Sequence, residues 1–98
     1  MLPESFIVSC YPNPFNGTTT IRFYVDEVAA LHPAKLIKVY NALGQLVAVY
    51  ELGNLKSGFH QFNLNAVDYW GNALPSGLYF ITLQIGDQSM TKRVTLMK

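Results

Sequence analysis

Cysteine is almost missing from this chain. Its 98 residues hold one, Cys10, which excludes an internal disulfide, and metal or redox motifs of the C-x-x-C kind are absent. Charge is scarce as well: 13% of residues are Asp, Glu, Lys or Arg, against about a quarter in an average domain. The formal net charge of +1 offers no basic field for nucleic acid or an anionic membrane, so neither is expected as a partner. No apolar run is long enough to span a membrane, and the first residues lack the charged segment and long apolar stretch of a signal peptide. An exported protein would carry its leader upstream, with residues 1–4 a linker remnant. Phosphate-cradling glycine loops are also missing, since the glycines are scattered singly at turns.

Apolar material is abundant. Half the residues are hydrophobic and 13% are aromatic, too much for a disordered chain, and the length fits one domain over residues 1–98 with a modest core. Short runs with period-two alternation recur between turn signals, the mark of half-buried strands. Ser5–Tyr11 is the first, with Phe6, Val8 and Cys10 alternating against Ile7, Ser9 and Tyr11. It stops at Tyr11-Pro12-Asn13-Pro14-Phe15-Asn16-Gly17, where two prolines bar a sheet interior and Asn16-Gly17 supplies tolerance of positive φ. Phe15 is then free to plug one end of the core.

Thr18–Val25 is a clear strand with Thr19, Ile21, Phe23 and Val25 on one face. Residues 26–33 form a loop or a single helical turn. Ala34–Ala42 follows, with Ile37 and Val39 facing in and Lys35 and Lys38 at polar or rim positions. Asn41-Ala42-Leu43-Gly44 reverses the chain, and Gln45–Glu51 returns with Val47 and Val49 on the core face. Phe59–Asn65 puts His60, Phe62 and Leu64 on one face, and a long connection through Asp68, Trp70 and Asn72 leads on. The last two strands form the strongest hairpin. Tyr79, Ile81, Leu83 and Ile85 line one face of the first arm, Val94 and Leu96 one face of the second, and Gly86-Asp87 between them suits a II′ turn. Seven short strands without helical crossovers predict an all-β, antiparallel immunoglobulin-like sandwich.

Chemistry-bearing residues are sparse. Cys10, His32, His60, Asp26 and Asp68 are the available pieces of a nucleophilic triad, and none stands in a nucleophile-elbow context. No enzyme and no cofactor are expected. Asp68, Asn72 and the carbonyls of residues 69–71 could ligate calcium, but without the cadence of a dedicated loop they are expected to stabilise a turn. Tyr11, Tyr24, Tyr50 and Trp70 are candidates for a sugar-binding platform.

Four stretches together carry a resemblance. Tyr11-Pro12-Asn13-Pro14-Phe15-Asn16 with Thr18–Phe23, Lys38–Val47, Pro75-Ser76-Gly77-Leu78-Tyr79-Phe80, and the closing Thr91–Lys98 are similar to the C-terminal sorting domain of the bacterial type IX (Por) secretion system. The resemblance covers about Phe6 to Lys98. It implies an address tag, covalently linked to an upstream cargo domain and exported through the periplasm of a Gram-negative bacterium to the cell surface or beyond. The implied partners are an outer-membrane translocon and a sortase-like peptidase that removes the tag or attaches the cargo. The residues implied in recognition are Pro75, Ser76, Gly77, Leu78, Tyr79, Lys92, Arg93, Val94, Thr95, Leu96, Met97 and Lys98, with the last strand expected as an edge whose backbone groups are open to pairing. The alternative is a cell-attachment or carbohydrate-binding accessory module of a secreted glycosidase or protease.

Overall fold

The computed structural model describes residues 5–98, so the linker expected over residues 1–4 lies outside the described residues. Seven strands form where the alternation runs: β1 (Phe6–Tyr11), β2 (Thr18–Val25), β3 (Lys35–Asn41), β4 (Leu46–Glu51), β5 (Gly58–Asn65), β6 (Gly77–Ile85) and β7 (Gln88–Leu96). They pair antiparallel in two sheets, β1-β2-β5 and β4-β3-β6-β7. The facing sides of the sheets bury Ile21, Phe23 and Val25 against Ile37, Val39, Ile81, Leu83, Val94 and Leu96. Burial of these side chains is the main favourable term, at about 1.5–3 kcal/mol each.

Two departures from strict alternation are β-bulges. In β1, Ile7 faces Phe23 and Ser9 faces Arg22, so Val8 is the extra residue. Ile7 and Cys10, three apart, therefore both turn to the core side. In β4, Val39 faces Ala48 and Tyr40 faces Leu46, leaving Val47 as the extra residue. Ala48 is buried and Val47 and Tyr50 pack against the core, whereas Val49 does not. Of the two expected core residues of this strand, Val47 does pack on the core, and only Val49 is corrected, with Ala48 and Tyr50 in its stead.

Asp26–Pro33 contains the one-turn helix α1 (Glu27–Ala30), capped by Asp26, whose Oδ1 accepts from the Ala29 N–H at 2.6 Å. Its C-terminal end explains a second correction. Lys35 is not a rim residue but is 2% exposed, on the same face of β3 as Ile37 and Val39. The Lys35 ammonium donates to the Ala30 carbonyl, an acceptor that the short helix leaves unpaired, and to the His32 carbonyl in the loop just after it.

The β6–β7 hairpin has the expected two-residue turn, with Ile85 facing Gln88. Gly86 has φ +62° and Asp87 does not have positive φ, the II′ pattern. The His32 ring covers this turn so closely that a Cβ on Gly86 would lie 2.5 Å from Nε2. Gly44 likewise sits at φ +82°, where Asn41 Oδ1 accepts from the Leu43 and Gln45 N–H groups. Gly17, in contrast, is not at positive φ. The corner before it bends through cis peptide bonds at Tyr11-Pro12 and Asn13-Pro14 instead.

Candidate functional site

The four sequence stretches that carry the resemblance meet at one end of the sandwich. β6 brings Gly77 opposite Leu96, Leu78 opposite Thr95, and Tyr79 opposite Val94, so Pro75–Tyr79 and Lys92–Lys98 become neighbours. β3 adds Asn41 opposite Tyr79, which brings the Gly44 turn to the same end. The proline corner arrives from the other side. Phe15, 3% exposed, pairs with Leu96 in a parallel bridge: its N–H donates to the Thr95 carbonyl at 2.9 Å, and its carbonyl accepts from Met97 N–H at 2.8 Å.

Asn13 completes this clasp. Its Oδ1 accepts from Thr95 N–H at 2.9 Å and its Nδ2 donates to the Arg93 carbonyl at 3.4 Å, across 82 and 80 positions of sequence. Ser76 Oγ takes the Lys98 N–H at 3.1 Å, fixing the last residue. The expectation of a wholly open edge is thereby corrected. In an antiparallel strand the N–H and C=O of one residue point to the same edge, on every second residue. Thr95 spends both groups and Met97 its N–H on the corner; Ser89 and Thr91, on the same parity, form the open half of the edge. Lys92 stands on the core side of β7 but is exposed, an inward-facing charge of the sort that discourages indiscriminate strand pairing.

Tyr79 ties the two halves of its own motif. Buried at 4% exposure, it donates its hydroxyl to the Pro75 carbonyl at 2.6 Å. Burial raises its pKa above the ordinary 10.0. The unfolded chain therefore loses this proton first, so its contribution to stability is complete below about pH 10 and is lost as pH rises through the folded-state value. We expect urea midpoints to hold near neutrality, to begin falling above about pH 9 with Cys10, and to fall further above about pH 10 with Tyr79. In Tyr79→Phe the fall should be shallower but not absent, because burial also raises the Cys10 and Tyr50 pKa values.

The other chemistry-bearing residues are dispersed, each with a local task. Cys10 is half-buried in β1; burial pushes its thiol pKa up while the Lys92 charge draws it down. His60 lies against Phe23 with ring centroids 5.7 Å apart, and its Nε2 is 2.7 Å from the Lys56 carbonyl. Exposed His32 accepts from Ala34 N–H through Nδ1. Asp68 Oδ1 accepts from the Trp70 and Asn72 N–H groups, both at 2.9 Å, so this carboxylate staples its own turn. Among the described residues, no group of three or more His, Cys, Asp or Glu side chains gathers around a metal-sized site.

The four aromatics considered as a sugar platform do not share a face. Tyr24 lies on the outer side of the three-stranded sheet, between Phe6 and Phe59 at 5.4 and 5.0 Å. Tyr50 packs on Phe62 in the gap between the sheets, and Trp70 leans on Tyr69 in the connection before β6. Open grooves of about 400 and 600 Å³ lie at the opposite end, lined by residues such as Pro33, Glu51, Glu27 and Asn54, and take in none of the recognition residues named above.

These features define an immunoglobulin-like β-sandwich whose distinctive part is a last strand paired with β6 on one edge and clasped by the proline corner along the final part of the other, with no nucleophile and base hydrogen-bonded among the described residues. The family described as "Secretion system C-terminal sorting domain" matches residues 9–97, and the chain belongs to that family. Its fold is also that of parts of two solved proteins of Porphyromonas gingivalis. One is dimeric latent PorU, at TM-score 0.75 and 15% identity over 95% of this chain. The other is PorZ, described as an essential bacterial surface component of the type-IX secretion system, at TM-score 0.62 and 22% identity over 94%. The chain spans 9% of the PorU chain and 11% of the PorZ chain. No curated protein matches it. No helix among the described residues is long and apolar enough to cross a membrane.

Proposed function

We propose that residues 1–98 act as one non-catalytic address unit at the end of a larger, covalently linked cargo protein. The unit directs that cargo from the periplasm of a Gram-negative bacterium through the outer-membrane translocon of the type IX system to the outer surface. There a sortase-like peptidase removes it or exchanges it for surface attachment. The residues presented to this machinery are Pro75, Ser76, Gly77, Leu78 and Tyr79 with Lys92, Arg93, Val94, Thr95, Leu96, Met97 and Lys98. Tyr79, Val94 and Leu96 serve by packing, and the exposed members by contact.

The observation that carries this reading is the meeting of the two segments in adjacent strands, with Asn13 and Phe15 holding the outer edge. Such a construction fixes a short terminal segment into one shape, and a fixed shape is what a receptor can read without an ordering cost. Fusing the domain to a fluorescent reporter in a type IX-competent host tests it. Export of the intact fusion and retention of a fusion lacking Thr95–Lys98 are expected; undiminished export of the shortened fusion would refute the reading.

A further inference from the structure

The outer side of the four-stranded sheet, at the end where the motifs converge, has the make-up of a docking surface. Register places Leu46, Tyr40, Phe80 and Arg93 in one row across β4, β3, β6 and β7. Each alternates with a buried neighbour such as Val39, Ile81 or Val94, so the row faces away from the core. Leu78, opposite Thr95, lies one row nearer the end, and Met97 follows. Leu46, Leu78 and Met97 are 38%, 36% and 59% exposed, while Tyr40 and Phe80 are half-buried. Apolar side chains, an aromatic pair and an arginine in one patch are the composition of an interface centre.

Charge names the occupant. The described carboxylates Asp26, Glu27, Glu51 and Asp87 stand at the opposite end, at α1, the end of β4 and the β6–β7 turn. Asp68, the carboxylate nearest the patch in the fold, is turned into its own loop. Lys38 lies one row behind Tyr40, Arg93 closes the row, and Lys98 ends the chain. The patch is thus apolar at its centre and basic at its margin.

We propose that Tyr40, Leu46, Leu78, Phe80, Arg93 and Met97 form the contact surface for a component of the export apparatus with an apolar centre and an acidic rim. This rests on the sorting-domain reading and extends recognition from the last two strands to β3 and β4. The two claims are separable.

In the reporter fusion, Arg93→Glu and Leu78→Glu should each cut export at least about tenfold, because each sets a carboxylate against an acidic rim and the second also removes an apolar anchor. Phe59→Glu, a change at an exposed apolar residue on the other sheet, should leave export unchanged. Melting temperatures of the purified domains establish that each variant folds. Where a Glu variant does not, Arg93→Gln and Leu78→Thr replace it and are held to a measurable loss of export. Wild-type export of the folded Arg93 and Leu78 variants, with loss on removing Thr95–Lys98, would overturn the docking surface and leave the address function standing. Full export of that deletion as well would remove the address function itself. Self-association of the purified domain that Arg93→Glu abolishes would assign the face to a second copy and would equally overturn the proposal.

Discussion

Leu96→Ala is expected to lower the free energy of unfolding by about 2–5 kcal/mol, with Met97→Ala changing it by no more than about 0.5 kcal/mol. The two residues are neighbours in sequence and opposite in environment. Leu96 is fully buried, faces Gly77 on β6 and pairs with Phe15 on its other side. Gly77 has no side chain to close the space and Phe15 is fixed by two backbone bonds, so the surroundings collapse poorly into the cavity. The loss therefore includes a cavity component on top of the transfer of the missing methyl groups from water. A domain of this size has only about 5–15 kcal/mol in hand, so Leu96→Ala should approach the threshold of folding. Chemical denaturation of both variants decides the point; equal losses would contradict the packing described for the terminal strand.

Asn13→Ala is expected to cost about 1–2 kcal/mol, unusually much for an exposed residue, whose replacement normally falls within about 0.5 kcal/mol. Both arms of its amide are used: Oδ1 accepts from Thr95 and Nδ2 donates to the Arg93 carbonyl. The accepting arm has the shorter bond, 2.9 Å against 3.4 Å, and so should hold most of the energy. Asn13→Asp keeps an acceptor for Thr95 but sets a second carboxylate oxygen against the Arg93 carbonyl in place of the longer bond, so it should recover part of the loss. Denaturant midpoints for the two variants test the assignment. An Asp variant as weak as the Ala variant would place the effect elsewhere, in the corner's backbone.

How legible this was differed by element. β2, β5 and β6 were plain in the sequence because their alternation is unbroken; Ile21, Phe23, Tyr79, Ile81 and Leu83 lie inside as period two requires. The β6–β7 turn was legible from Gly86, since one residue's allowed φ sets the turn type. β1 and β4 were only half legible. A bulge inserts one residue without changing composition, so Val8 and Val47 leave no mark by which the shift of faces could be foreseen. Lys35 was misplaced because charge ordinarily means surface, and the carbonyls that receive it come from the end of a one-turn helix and the loop after it.

The candidate site was legible as segments and not as a site. Each motif could be read, but the contact of Asn13 with Thr95 joins positions 82 apart, and no periodicity within either segment encodes it. That contact changes the physical reading of the terminal strand. An edge open along its whole length would invite strand addition anywhere; an edge half occupied by its own chain directs a partner to side chains at one end and to backbone only at the other.

Amide hydrogen exchange of the intact domain tests that claim most directly. Ser89, Thr91 and Thr95 lie on one edge of β7 and Met97 continues the same backbone parity just past its end, so the corner is what distinguishes them. The Thr95 and Met97 amides should be protected like those of the β6–β7 ladder, while Ser89 and Thr91 exchange quickly. Equal, rapid exchange at all four would mean that the corner does not hold the strand, and the account of a clasped terminal signal would be wrong.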